Sequence, residues 1–202
     1  MDPQIEFELS RAQELHEFVA DQIAGKYPND DRPTLFASFL SLAQSHHEAI
    51  MVLCRHDRLI GSAYALLRPL VEVTNRGLFV AFLATPQQIE LIKTGEAPYG
   101  NIDTLASKLD DLFKTQGLFA GHAGEAWGMM CDFTHGGLEQ LNRRVGESGD
   151  IGCHFKPEDI QHLLASSTSI LVRAAIQFLG AMDRLEASKA VTAKYLALYA
   201  TP

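Results

Sequence analysis

Residues 61–84 read GSAYALLRPLVEVTNRGLFVAFLA, and the conformation of their last seven residues decides the fold class. Leu78 to Ala84 is the longest uninterrupted apolar run in the chain, long enough for a buried strand. It does not alternate apolar with polar residues, and it lacks turn signals on both sides, as a strand here would require. Ile170 to Val172 fails the same test. The upstream residues Ala65, Leu66, Leu70 and Val73 instead recur at helical intervals. The spacing predicts a helix from about Leu59 to Leu83, bent at Pro69, which lacks a backbone N–H. The chain reads as all-α.

Helical periodicity extends outward in both directions. Ile5, Leu9, Ala12, Leu15, Val19 and Ile23 step by three and four, with Asp2 and Pro3 as start signals and Gly25 as a stop. The prolines and the Asn-Asp-Asp cluster of Lys26 to Pro33 break the pattern. A second helix is expected from Thr34 to about Arg55, burying Phe36, Phe39, Leu40, Ala43, Ile50 and Leu53. Thr85-Pro86 and Gly95 bracket a short helix, and another is expected over Asp103 to Phe113. A further helix should begin near Gly121 and carry Trp127, Met130 and Phe133, with Gly136-Gly137 as a break or a point of close approach. After a Gly-rich loop from Gly146 to Pro157, a long helix reaches about Leu185, and the last covers roughly Ala187 to Tyr199. The expectation is one helical domain of about six to eight helices, with a core bundle over 34–185 and flanking helices at 3–25 and 187–199.

Composition narrows the function classes. The 202 residues are 47% hydrophobic and 21% charged, enough to build a core without disulfides or metals. Seventeen Lys and Arg against 25 Asp and Glu give a net charge of −8, which disfavours duplex DNA as a partner but leaves room for a local basic site. No apolar run approaches the roughly 20 residues of a membrane span. The start, Met1-Asp2-Pro3-Gln4, carries no secretory pattern, and Cys54, Cys131 and Cys153 form no CxxC pair. A cytoplasmic location with reduced thiols is expected.

Two segments carry the chemistry. Arg68, Glu72 and Arg76 stand at i, i+4 and i+8, on one helical face among apolar neighbours. A carboxylate between two guanidiniums is either a buried structural network or part of a phosphate pocket. Glu72 with Arg68 is expected to be the buried pair. Arg76 is expected to be more available to a ligand, because Asn75 and Gly77 make its surroundings polar and open. The second segment, Trp127 to Arg144, holds Asp132, His135 and Glu139 at i, i+3 and i+7. His135 oriented by Asp132 would make a general acid or base, and Asn142, Arg143 and Arg144 follow as a basic end. His135 and Asp132 are therefore the catalytic candidates. Arg68, Glu72, Arg76, Asn142 and Arg143 are the ligand-binding ones.

No metal or cofactor is expected. His46 and His47 are adjacent and project about 100° apart, and Asp132-x-x-His135 has no second copy to complete a di-metal bundle. His56, His122, His154 and His162 lack spacing partners. No phosphate loop, dinucleotide motif, HExxH or GxSxG pattern occurs.

The stretch 61–77 together with Asp132-Phe133-Thr134-His135-Gly136-Gly137 resembles a group of bacterial proteins of about this length, over roughly Ser45 to Leu179. More distantly, a bundle with an Arg-x-x-x-Glu helix and a later His-Gly is similar to the HEPN superfamily. Those proteins are helical bundles, often dimeric, and many are RNA-cleaving toxins or defence effectors. Their catalytic members carry Arg, four to six residues, then His on a late helix. Here that spacing occurs only at Arg11 and His16, in the first helix. The resemblance therefore implies the fold more directly than ribonuclease activity.

Two readings remain open at this level. In one, the protein is a HEPN-like stress or phage-defence effector acting on RNA or a nucleotide. In the other, it is a non-catalytic interaction module with a structural Arg-Glu-Arg network. A homodimer is expected in either case, because Ile170, Leu171, Ala174, Ala175, Phe178 and Leu179, with Tyr195, Leu196, Leu198 and Tyr199, exceed one core-facing stripe.

Overall fold

The computed structural model describes residues 2–25, 30–123 and 125–200. α1 (Pro3–Ile23) starts on Asp2, whose carboxylate accepts from the Gln4 N–H at 2.7 Å. Its stripe Ile5, Leu9, Ala12, Leu15 and Val19 is buried, as the spacing predicts. Residues 26–29 of the expected breaker lie outside the described residues. α2 (Asp31–Cys54) begins three residues before Thr34, because Pro33 sits in the first turn, where a helix needs no N–H. It buries Phe36, Leu40, Ala43 and Ile50, with Phe39 and Leu53 partly covered.

The helix expected from Leu59 to Leu83 is broken, not bent. After a 3₁₀ turn (Asp57–Leu59), α3 (Ile60–Ala65) stops at Leu66 and α4 (Leu67–Phe82) starts afresh. Pro69 falls in the first turn of α4, where its missing N–H costs least and where its ring would clash with Ala65 in a continuous helix. Leu78, Phe79 and Val80 are buried on α4, which settles the strand question in favour of helix. α2 and α4 pack closely at Gly77. A Cβ added there would stand 2.9 Å from the Phe39 Cβ and 3.3 Å from the Phe36 ring.

α5 (Pro86–Lys93) is closed by a Thr85–Gln88 capping box, and α6 (Ile102–Phe113) is capped by Asn101. The helix expected from Gly121 divides into α7 (Ala120–Ala123), α8 (Glu125–His135) and α9 (Leu138–Asn142). Residue 124 and the side chain of His122 lie outside the described residues. An isolated antiparallel bridge joins Val145 to Ile151.

α10 (Pro157–Ala181) is the hub, packed against α1, α2, α4 and α11 (Leu185–Tyr199). By length and composition it could cross a membrane, but 61% of its most apolar window is buried inside the protein, as in a core helix. Ile170, Leu171, Ala174, Ala175, Phe178 and Leu179 are all at most 3% exposed. This removes the argument from apolar excess to a dimer on α10, since packing against four helices of the same chain already buries those six residues. On α11 only Leu196 of the four residues named is exposed.

Candidate functional site

The break at Leu66 builds the site. Because Pro69 has no N–H, it leaves the Ala65 carbonyl without its usual helical donor. The Thr134 hydroxyl donates to that carbonyl at 3.3 Å, as well as to the Met130 carbonyl within its own helix. This contact places the end of α8 beside the start of α4. α8 then stops at Gly136, which takes φ +70°, and the Gly137 N–H closes on the Asp132 carbonyl at 2.7 Å. Gly137 is required by space. A Cβ there would lie 2.5 Å from the Asp132 Cγ and 2.9 Å from its Cα.

His135, the last residue of α8, meets Arg68 from 67 residues away. The Arg68 Nη1 stands 2.6 Å from the His135 Nε2, at an exposed position. Guanidinium only donates, so Nε2 is the accepting nitrogen. Arg68 Nε also donates to Glu72 at 2.9 Å, and Arg76 Nη2 donates to the other Glu72 oxygen at 2.7 Å. Each guanidinium lies over an aromatic ring, Arg68 at 4.9 Å from Trp127 and Arg76 at 5.3 Å from Tyr99. The result is a ladder of His135, Arg68, Glu72 and Arg76 flanked by two rings.

The Arg68, Glu72 and Arg76 side chains are 24%, 19% and 41% exposed. The ranking agrees with the sequence argument, but Glu72 is partly rather than fully buried. The reason given for Arg76 needs correction. Asn75 and Gly77 are buried, and Arg76 is open because its own face of α4 is left uncovered. Burial pushes the Tyr99 phenol pKa up, with Arg76 acting in the opposite direction.

Asp132 has a different role from the one expected. Its carboxylate accepts from the Glu139 N–H at 3.2 Å, which caps α9, while the partner of His135 is Arg68. Arg143 joins another constellation, donating to Asp159 at 2.8 Å and lying over Phe155. Asn142 is exposed at the end of α9. The structure thus brings four of the seven candidates together and leaves Asp132, Asn142 and Arg143 outside the ladder.

A second polar cluster links α1, α2, α10 and α11. His47 is fully buried, with its Nδ1 3.0 Å from the His16 Nδ1 and its Nε2 3.0 Å from the Thr168 hydroxyl. The two imidazoles stack at 5.3 Å. Nearby, Arg11 pairs with the buried Glu8, donates to the Leu198 carbonyl at 2.9 Å and lies over Tyr199. Burial, and secondly His16, lower the His47 pKa to about 3. His16 is also lowered, by burial, against the pull of Glu48 and Glu17. The sequence held a signal for this cluster. His47 lies in register with Ala43, Ile50 and Cys54, and Glu8 lies on the apolar stripe of α1.

Among known protein families, residues 40–199 match one described as a family of unknown function (DUF6988), and the chain belongs to that family. Comparison with curated proteins and with solved structures finds no match.

Proposed function

We propose that this protein recognises the phosphate of RNA or of a nucleotide through Arg68 and Arg76, with His135 as the group that acts on the bound substrate. The observation that carries this is the exposed Arg68–His135 contact. A purely structural ladder would be dry and closed on itself, whereas this one ends in a histidine at the surface. A phosphate oxygen forms a charge-assisted, bidentate bond with guanidinium, and a neutral imidazole does not. An arriving phosphate would therefore take Arg68 from His135 and free Nε2. The freed nitrogen stands beside the bound anion, placed to accept the proton of a 2′-hydroxyl. Trp127 and Tyr99 offer ring faces beside the cations, as single-stranded RNA sites commonly do.

The HEPN-like reading, with a role in stress or phage defence, is part of this proposal. The spacing characteristic of that superfamily, at Arg11 and His16, belongs to the other cluster, so the reading rests on the ladder. The test is incubation of the purified chain with single-stranded RNA, alongside overexpression in bacteria. Wild type should bind RNA, and His135→Ala should keep binding while losing cleavage and any growth arrest. Activity unchanged in His135→Ala would remove His135 from the mechanism.

One observation favours the interaction-module reading. Leu138, Leu141, Val145 and Ile151 are 67%, 57%, 53% and 80% exposed within one short stretch after His135. Large exposed apolar patches mark contact surfaces. Light scattering that gives a mass above 22.2 kDa, restored to that value by Ile151→Asp, would support self-association through this stretch.

A further inference from the structure

Two contacts along α3 place a second cation near the ladder. At the C-terminal end of α3 the Ala65 carbonyl accepts from Thr134, the residue before His135. Gly61 stands one turn earlier, about 6 Å back along the axis. A Cβ placed on Gly61 would lie 3.5 Å from the Gln140 Nε2 and 3.6 Å from the Arg144 Nη2. The same Gln140 amide reaches back toward α8, with its Oε1 3.8 Å from where a Gly136 Cβ would stand. Gln140 thus spans from the residue after His135 to the side of Arg144. Arg144 is partly exposed, and among the described residues its guanidinium has no hydrogen-bond or ion-pair partner. Its neighbour Arg143 is neutralised by Asp159 and lies over Phe155. Of the nearby carboxylates, Asp132 caps α9 and Asp150 is held by Ser148 and His154. Asp57, Glu139 and Glu147 are exposed, and none pairs with Arg144.

We infer that Arg144 and Gln140 hold a second phosphate of the ligand whose first phosphate the ladder binds, so that the ligand is a strand and not a mononucleotide. The inference rests on the phosphate reading of Arg68 and Arg76. Arginine and glutamine side chains are common donors to phosphate oxygens, and here both stand side by side with no acceptor of their own. A turn of α3 separates this pair from the Arg68–His135 contact. Phosphates along a strand, with a sugar between them, span such a gap. The two phosphates of a nucleoside diphosphate share one oxygen and do not.

The test is titration of the full chain with 2′-O-methyl oligouridylates of one to four phosphodiesters, which lack the hydroxyl proton that His135 would take. Affinity should rise about tenfold at the length that first reaches Arg144. Arg144→Gln should abolish that step and lower the log–log salt slope of the longer probes by about 0.7, leaving the one-phosphodiester probe unchanged. Gln140→Ala should reduce the step. Lys108→Gln, the same change of charge at an exposed place on α6, should keep it. Uridine diphosphate should bind wild type and Arg144→Gln alike. Circular dichroism checks that the variants are folded, and if Arg144→Gln is not, Gln140→Ala decides. A series without a step overturns the inference, as does a step left whole in folded Arg144→Gln or Gln140→Ala. Equal loss in Lys108→Gln, or weaker uridine diphosphate binding in Arg144→Gln, does the same. In each of these cases the one-phosphodiester probe still binds, and the phosphate reading stands. Failure of every probe to bind, the shortest included, overturns that reading and this inference with it.

Discussion

Replacing Glu72 with alanine removes the one carboxylate that two arginines share. Breaking a fully buried ion pair costs about 3–5 kcal/mol, and breaking an exposed one about 0–1 kcal/mol. The ladder lies between these limits. The Glu72 side chain is 19% exposed and Arg76 is 41% exposed, so Arg76 can rehydrate once its partner is gone. Arg68 is 24% exposed and keeps His135 and Trp127 as neighbours. Most of the loss therefore falls on Arg68, about 1.5 kcal/mol for a charge-assisted bond in a partly covered place, with a few tenths more from Arg76. The sum is about 2 kcal/mol, a drop of about 4–8 °C in Tm for a chain of this size. Paired thermal and urea denaturation would measure it. A double-mutant cycle with Arg68→Ala should return about 1 kcal/mol of coupling. A melting curve superimposable on wild type would refute the reasoning, and failure to fold at all would show that the ladder is drier than its exposure indicates.

Three further outcomes follow from particular contacts. The folded pKa of His47, about 3, lies below its ordinary 6.5, so the unfolded chain binds more protons between those values. Stability is therefore whole above about pH 6.5 and falls as pH drops toward 3. At about 1.4 kcal/mol per unit, the loss between pH 7 and pH 5 is about 2 kcal/mol. His47→Gln should flatten this slope in urea titrations at the two pH values, and an unchanged slope would exclude the histidine. Gly137→Ala forces a Cβ to 2.9 Å from the Asp132 Cα and should cost about 1–3 kcal/mol by chemical denaturation, where no loss would contradict the close approach. Arg76→Ala should lower the salt dependence of single-stranded RNA binding by about 0.7 in the log–log slope, one phosphate contact, and an identical slope would take Arg76 out of the interface.

The parts of the fold that depend on local pattern were legible before the structure. The stripe of α1, the Thr85–Pro86 start and the Gly136-Gly137 break are near-neighbour effects, and each holds. Pro69 was read as a bend because periodicity continues through it. Pro69 itself interrupts the helix, and what periodicity could not show is the tertiary contact at the interruption, the Thr134 hydroxyl donating to the freed Ala65 carbonyl. Asp132 and His135 share the i, i+3 spacing of a catalytic pair, but the same carboxylate also reaches the next helix start, and capping wins. The apolar excess of α10 reads alike for a dimer interface and for a hub, and only the packing of four neighbours decides. The Arg68–Glu72–Arg76 spacing was visible in sequence. Its meeting with His135, across 67 residues, was not.

The central claim is that an arriving phosphate takes Arg68 from His135, and the imidazole itself reports this. The ¹⁵N resonances of His135, assigned through His135→Gln, would be followed while a uridine phosphodiester is titrated into the full chain. The account predicts a saturable change at Nε2, as its bond to Arg68 is lost, together with a shift of the Arg68 guanidinium resonance. His135 and Arg68 resonances that stay fixed through the titration would contradict it.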